Sequence, residues 1–357
     1  MRRSSSAGLA LGLVGVALVA GRNWAQNNDL NVQFHAFEDA RAVTVLSPTV
    51  ELTQDFTDRT TLRLKYGLDA ISAASDSCVR CHRDGVNTHR QSFDLSATRK
   101  YGDVKLTFGG SYDLENFYRA TTGLMSVSRD LAKGNATVAG GFSFSLNQPT
   151  LHPEPVTANQ YQMGGFVSLT QTLSKTTIVQ GGYEVGRLSG YLTNPFLRAT
   201  VNGALLLGQV PDERLRHTIS VRLRQALPAD TFLEADYRRY VDDWQVKSNM
   251  VNLGVSHRFG AGLLLNAAYR RYDQTGAFFW APFYVGTPQY YTADFRLEPF
   301  NSNDYIGHVE VTPRGQLWWF PTGTSVMVQY ERYQADNGFQ AAIVSTGVRV
   351  PLKLRHP

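Results

Sequence analysis

Arg216-His217-Thr218-Ile219-Ser220-Val221-Arg222-Leu223-Arg224 alternates polar and apolar side chains along its length. Successive side chains of a β-strand point to opposite faces, so Ile219, Val221 and Leu223 share one face and Ser220, Arg222 and Arg224 the other. Thr61-Leu62-Arg63-Leu64-Lys65-Tyr66, Val251-Asn252-Leu253-Gly254-Val255-Ser256 and the stretch from Ala342 to Val350 repeat the pattern. In a soluble sandwich the charged face looks to water. In a membrane barrel it faces a wet lumen and the apolar face meets lipid. The alternation calls for strands without choosing between these settings.

The connections choose. Period-two segments fall at 30–38, 42–54, 60–70, 92–100, 104–115, 121–131, 136–146, 160–173, 176–186, 214–225, 231–241, 247–259, 263–273, 304–319, 324–334 and 339–350. Links after even-numbered segments are short, such as Tyr101-Gly102-Asp103, Ser174-Lys175 and Pro321-Thr322-Gly323. The long links, 71–91, 147–159, 187–213 and 274–303, all follow odd-numbered segments. Outer-membrane barrels sort their short periplasmic turns and long outer loops in this way. The expectation is an all-β fold: a closed antiparallel transmembrane β-barrel of about 16 strands, with both mature ends in the periplasm. Leu62, Leu64, Tyr66, Ile219, Val221 and Leu223 are expected to face lipid, and Arg63, Lys65, Arg222 and Arg224 the lumen. Trp318-Trp319-Phe320 suits a periplasmic aromatic girdle and Phe278-Phe279-Trp280 an outer one.

Composition agrees. Apolar residues make up 43% and charged residues 18% of 357, with 31 Gly, 17 Tyr and 19 Phe, which favours strands over helices. A mean hydropathy of -0.25 fits a barrel, because only alternate strand residues face lipid. Met1-Arg2-Arg3 followed by an apolar run from Ala7 to Ala20 reads as a secretory signal, cleaved after Gly21 or Ala25, so residues 1–25 are the signal and 26–357 the barrel. The address is the outer membrane of a Gram-negative bacterium. The formal charge of +5 includes Arg2 and Arg3 and contains no basic run. It supports contact with outer-membrane lipid and gives no support for nucleic-acid binding.

The two cysteines lie in Cys78-Val79-Arg80-Cys81-His82, within the 71–91 link. C-x-x-C-H is the attachment pattern of c-type haem: two thiols reach the two vinyl groups of the porphyrin and the adjacent imidazole coordinates iron. Two other occupants stay open. One is a Cys78–Cys81 disulfide; the other is a zinc or copper ion held by Cys78, Cys81, His82 and His89. For a haem c, His89 is the nearest candidate for a sixth ligand, with Met125, Met163 and His152 dependent on the fold. The chain contains no GxSxG, HExxH or P-loop pattern, so no enzymatic activity is expected. Asp242-Asp243 reads as an outer-turn feature, and Asp236, Arg238, Arg222 and Arg224 as lumen charges. Two roles fit: a channel or conduit whose loop haem works with a periplasmic or extracellular redox partner, or a barrel-anchored metal- or redox-binding protein with a disulfide and no haem. One haem does not bridge a hydrocarbon layer of about 30 Å, so an electron route needs that partner.

Six stretches resemble a family of bacterial outer-membrane barrels known as domain of unknown function 3570. They are Asp69–Ser75, Gly190–Phe196, Pro211–Arg214, Tyr240–Trp244, Arg270–Phe279 and Tyr291–Leu297, in the family's order. The resemblance implies a barrel in the outer membrane with no known catalytic activity, and it names no substrate. The Cys-bearing loop is an addition to the family pattern, and the chain ends Leu352-Lys353-Leu354-Arg355-His356-Pro357 rather than on an aromatic residue.

Overall fold

A computed structural model describes residues 28–40, 43–73, 86–150, 157–315 and 320–352. The first nine strands are β1 (Asp29–Asp39), β2 (Val43–Thr57), β3 (Thr60–Ala73), β4 (Val86–Tyr101), β5 (Val104–Glu115), β6 (Tyr118–Leu131), β7 (Ala136–Pro149), β8 (Gln160–Thr172) and β9 (Thr177–Gly190). A small hairpin, β10 (Arg198–Val201) and β11 (Ala204–Leu207), stands apart from the main sheet. The wall resumes with β12 (Glu213–Leu227), β13 (Thr231–Asp242), β14 (Lys247–Phe259), β15 (Leu263–Gln274), β16 (Phe300–Val311), β17 (Ser325–Ala335) and β18 (Gln340–Pro351). Sixteen strands, each antiparallel to its neighbours, close where β1 pairs with β18 from Asp29↔Pro351 to Asp39↔Ala341. Closure gives the edge backbone groups of β1 and β18 partners, as a segment in lipid requires.

Every one of the sixteen segments read from the sequence is a wall strand, and the expected faces hold. Ile219, Val221 and Leu223 are exposed on the outside of β12, while Arg222 and Arg224 pair with Asp236 and Glu234 across the lumen face of β13. On β3, Arg63 reaches Glu51 inside, so the period of two turns Leu62, Leu64 and Tyr66 outward.

Several boundaries shift by a few residues, and three of the shifts change a reading. β16 ends at Val311, not 319, because Pro313 has no N–H to give the ladder and Thr312 makes its last bond, to the Gly262 carbonyl. The following connection, 312–324, is therefore the exception to the short links at that end; Trp318 and Trp319 lie outside the described residues. β3 and β4 pair on to Ala73↔Val86, so the link carrying the cysteines is 74–85 rather than 71–91. The polar run Asn87-Thr88-His89-Arg90-Gln91 reads as loop because strand ends that rise above the bilayer need no apolar face. The third difference is β16's start at Phe300, four residues before the expected one.

A candidate permeation pathway and its roofed mouth

Arginine and carboxylate ladders line the lumen. Arg214 on β12 donates through Nε at 2.8 Å to Asp242, whose side chain is fully buried and also accepts from the Tyr240 hydroxyl at 2.6 Å. Arg224 Nε meets Glu234 at 2.8 Å, Arg222 meets Asp236, and Arg270 Nη1 on β15 reaches Asp304 on β16 at 3.0 Å. These are charge-assisted bonds between neighbouring inward residues. Among the described residues, Arg216 and Arg238 on this wall have no carboxylate within ion-pair distance. In the ring of strands β4 stands across from β14. Around β4 the inward groups are richer in acid: Asp69 and Asp113 flank Arg90 at 3.2 and 3.8 Å, and Asp94 stands directly across the ladder from Lys65. A cavity of about 750 Å³ along the β8–β15 wall is lined by Phe166, Glu184, Arg222, Asp236, Arg238 and Arg270 among others. Facing walls of opposite charge excess orient polar solutes in a wet lumen.

Two long connections build a roof over the arginine-rich side. In the first, Asn202 and Gly203 turn the β10–β11 hairpin with φ of 50° and 81°, the positive values that a two-residue hairpin turn demands. Asn202 then clamps the second connection: its Nδ2 donates to the Gly286 carbonyl at 2.7 Å and its Oδ1 accepts from Gly286 N–H at 2.8 Å. Val201 bridges Tyr284, and Gln209 bridges Tyr291. Tyr284 is the hub. Its buried hydroxyl donates toward the Phe279 and Thr292 carbonyls and accepts from the Ala281 and Thr292 amides, all within 3.0–3.1 Å. A second apolar cluster of Trp244, Val246, Ala277, Phe279 and Leu297 stands on the inward Tyr240. Arg214 lies over the Trp244 ring at 4.5 Å, and Trp244 Nε1 donates to the Glu213 carbonyl.

The expected outer girdle at Phe278-Phe279-Trp280 is therefore corrected. Phe279 is buried inside the roof and Trp280 packs against it, because residues 275–299 fold on their own core instead of reaching lipid. Burial raises the Tyr191 hydroxyl above its ordinary pKa. The Asp294 carboxylate, bonded to Arg296 at the start of a short 3-10 turn, holds that guanidinium higher still. Asp242 and Asp243 are turn anchors, as read: Asp242 Oδ1 accepts from Val246 N–H and Asp243 Oδ2 from Leu215 N–H, each at 2.9 Å.

The roof is tied down from the β5–β6 turn, where Phe117 meets Phe196 with centroids 5.9 Å apart, round to the β17–β18 turn, where Phe339 stacks on Phe295 at 6.1 Å and Asn337 donates to Glu298. The remaining sector, β1–β4, ends in the 40–42 turn and the 74–85 link. Cys78, Cys81 and His82 lie outside the described residues, as does His152. His89 does not share their loop: it stands on β4 opposite Ala70, exposed on the outward face. Met125 and Met163 are exposed on the outer wall, on β6 and β8. Among the described residues no group of three His, Cys, Asp or Glu side chains forms a metal site. The sequence reading missed the roof, although Asn202-Gly203 between Arg198–Val201 and Ala204–Leu207 is a hairpin signal.

A closed sixteen-strand barrel with a charged lumen and an apolar outer wall is an outer-membrane β-barrel of the channel-like kind. The chain belongs to the family described as protein of unknown function (DUF3570), whose model matches residues 148–347. No curated protein matches it in sequence. Among solved structures it is similar to OccK5 (OpdH) of Pseudomonas aeruginosa, at 9% identity and a TM-score of 0.50, covering 92% of this chain and 98% of that one. It is also similar to CdiB from Acinetobacter baumannii, at 9% identity and a TM-score of 0.56 over 92% of this chain and 60% of that one. A third is CymD, a monoaromatic hydrocarbon channel, at 11% identity and a TM-score of 0.46 over 93% and 90%. At these identities the likeness is one of fold. Five of the six stretches that carry the family resemblance meet at the roofed side of the mouth.

Proposed function

We propose that this protein is a channel for small polar solutes and that one haem c, bound through Cys78, Cys81 and His82 on the link between β3 and β4, serves electron transfer with a partner outside the bilayer. The observation that carries the channel reading is the cavity of about 750 Å³ along the β8–β15 wall, where the inward Glu184, Arg222, Asp236, Arg238 and Arg270 meet. The roof narrows entry over the β9–β15 side. The chain in this reading moves solutes and catalyses nothing. Support for the haem is the CxxCH spacing and its place on a link between β3 and β4, at the end of the barrel with the long loops. When bound, the haem would supply a one-electron couple, and the partner must carry electrons across the remaining hydrocarbon layer of about 30 Å. Planar-bilayer recording of the purified chain tests the channel: stepwise, ohmic openings support it, and a silent bilayer with correctly folded protein sinks it. An absorbance spectrum of protein made with haem-attachment machinery tests the haem. A Soret band that survives denaturation supports it. Two thiols freed by reduction, with no such band, favour the disulfide-bearing redox protein.

A further inference from the structure

Three strands that run toward the long loops carry one four-residue phrase: Tyr237-Arg238-Arg239-Tyr240, Tyr269-Arg270-Arg271-Tyr272 and Tyr330-Glu331-Arg332-Tyr333. The period of two sends the first tyrosine and the third-position arginine outward and the other two residues into the lumen. Tyr237, Tyr269 and Tyr330, with Tyr305 beside them on β16, are exposed on the outer wall. Such a band marks the edge of the hydrocarbon. Arg239, Arg271 and Arg332 stand two residues nearer the long loops, roughly 7 Å farther along the strand, which is headgroup depth.

Neutral amides hold these arginines in place. Asn249 Oδ1 accepts from Tyr237 Oη at 3.0 Å and from Arg239 Nη1 at 2.9 Å. Asn303 Oδ1 repeats the clamp, accepting from Tyr269 Oη at 2.7 Å and Arg271 Nη1 at 3.0 Å. Arg332 Nη2 donates to Gln340 Oε1 at 2.7 Å. An amide orients a guanidinium without cancelling its charge, and the bonds named use one nitrogen of each fork. Lys247 adds an exposed ammonium on the same outward face of β14. Among the carboxylates at this rim, Asp273 accepts from Asn249 Nδ2 at 2.9 Å, Asp243 accepts from the Leu215 amide, and Asp336 accepts from Asn301 while lying close enough to Arg271 to feel its charge. Of the two inward arginines of the phrase, Arg270 is paired with Asp304, while Arg238 has no carboxylate within ion-pair distance among the described residues.

We infer that the outward rim of β13–β18 is a binding surface for a phosphorylated outer-leaflet glycolipid, with its phosphates on Arg239, Arg271, Arg332 and Lys247 and its acyl chains on the tyrosine band. The planar guanidinium fork matches phosphate oxygens, and the clamps pre-set three forks along one side of the barrel. This inference does not depend on the channel reading.

Native mass spectrometry of the full-length chain in detergent tests it, with a bis-phosphorylated acylated glucosamine disaccharide as probe and its dephosphorylated form as comparison. Retention of the phosphorylated probe is expected to be at least about tenfold the stronger. A basic residue near an anionic lipid surface contributes about 1 kcal/mol, roughly fivefold. The triple variant R239Q/R271Q/R332Q is therefore expected to lose retention on the order of a hundredfold. Lys175→Gln, in a turn at the opposite end, is expected to change nothing. Unboiled gel mobility confirms that each variant is a closed barrel; if the triple variant fails to fold, Arg332→Gln alone should lose severalfold. Equal retention of the two probes, or an undiminished triple variant, overturns the inference. So does displacement of the lipid by equimolar inorganic phosphate, which would mark a free-anion site.

Discussion

The β9–β15 side of the mouth and the β1–β4 side are built on the same strand code and finished differently. On the first, two connections fold on each other through Tyr284 and Asn202 and stand on the inward Tyr240 and the turn residue Trp244. On the second, the strands run on past the bilayer in polar pairs such as Asp69↔Arg90 and end in the link that bears CxxCH. The walls below both sectors keep one rule, apolar out and charged in. The sectors differ only where lipid no longer dictates the residue, and that is where the individual character of a barrel resides.

The sharpest way to break this comparison is to remove the roof's hub. Tyr284 is buried in the smaller roof cluster and its hydroxyl serves four backbone groups. Tyr284→Ala is expected to cost the roof roughly 3–5 kcal/mol, by analogy with deletion of a buried aromatic ring, and to leave the wall closed. Protease cleavage within 275–299 with unchanged unboiled gel mobility would show it, together with a larger single-channel conductance. Loss of the folded barrel itself would mean that roof and wall are one cooperative unit.

A second test asks whether the two walls really obey one rule. Val221→Arg below the roof on β12 and Leu64→Arg on β3 each put a cation on the lipid face. Each is expected to destabilise the barrel by roughly 2–4 kcal/mol if near the midplane, read by urea unfolding in vesicles. A large disparity between them would deny the shared code.

Lipid contact is what made the wall legible. A period-two pattern such as Arg216–Arg224 repeats only if one face meets hydrocarbon and the other water, so all sixteen strands could be read. Readability ended with that constraint. Asn87 to Gln91 looked like loop because a strand above the bilayer sheds its apolar face. Phe278-Phe279-Trp280 looked like girdle because an aromatic run does not say whether it meets lipid or its own loop. The salt bridges Arg222–Asp236 and Arg224–Glu234 followed from inward parity once register was known. The roof did not follow, because its contacts join residues 202 and 286, and no local pattern encodes so distant a pairing.

A smaller effect sharpens how the roof is latched. Asn202 makes two bonds to Gly286 and occupies a positive-φ position. Asn202→Ala loses both bonds and strains the turn, for an expected cost of about 1–2 kcal/mol. Amide exchange should quicken at Gly286 and in β10–β11, and not in β12 or β13. Asn202→Gly should restore the turn without the latch, giving an intermediate rate. Equal exchange in all three proteins would remove Asn202 from the latch.

The smallest expected effect on the fold comes from the β1–β4 sector. Cys78→Ser with Cys81→Ser changes a link whose ends, Ala73 and Val86, are already fixed by the β3–β4 ladder. If that sector is independent of the roof, the double variant should keep its urea midpoint within about 0.5 kcal/mol of the parent, the range of surface substitutions away from structural features. Roof proteolysis and conductance should stay as in the parent too. The chemistry is expected to change completely: a protein carrying haem c would lose its covalent Soret band and one haem mass. His82→Ala is expected to keep the thioethers while shifting the spectrum, because it removes the iron ligand and not the attachment. A double variant that weakened the roof or the wall would show that the cysteine link braces the mouth, and the contrast between the two sides would fail.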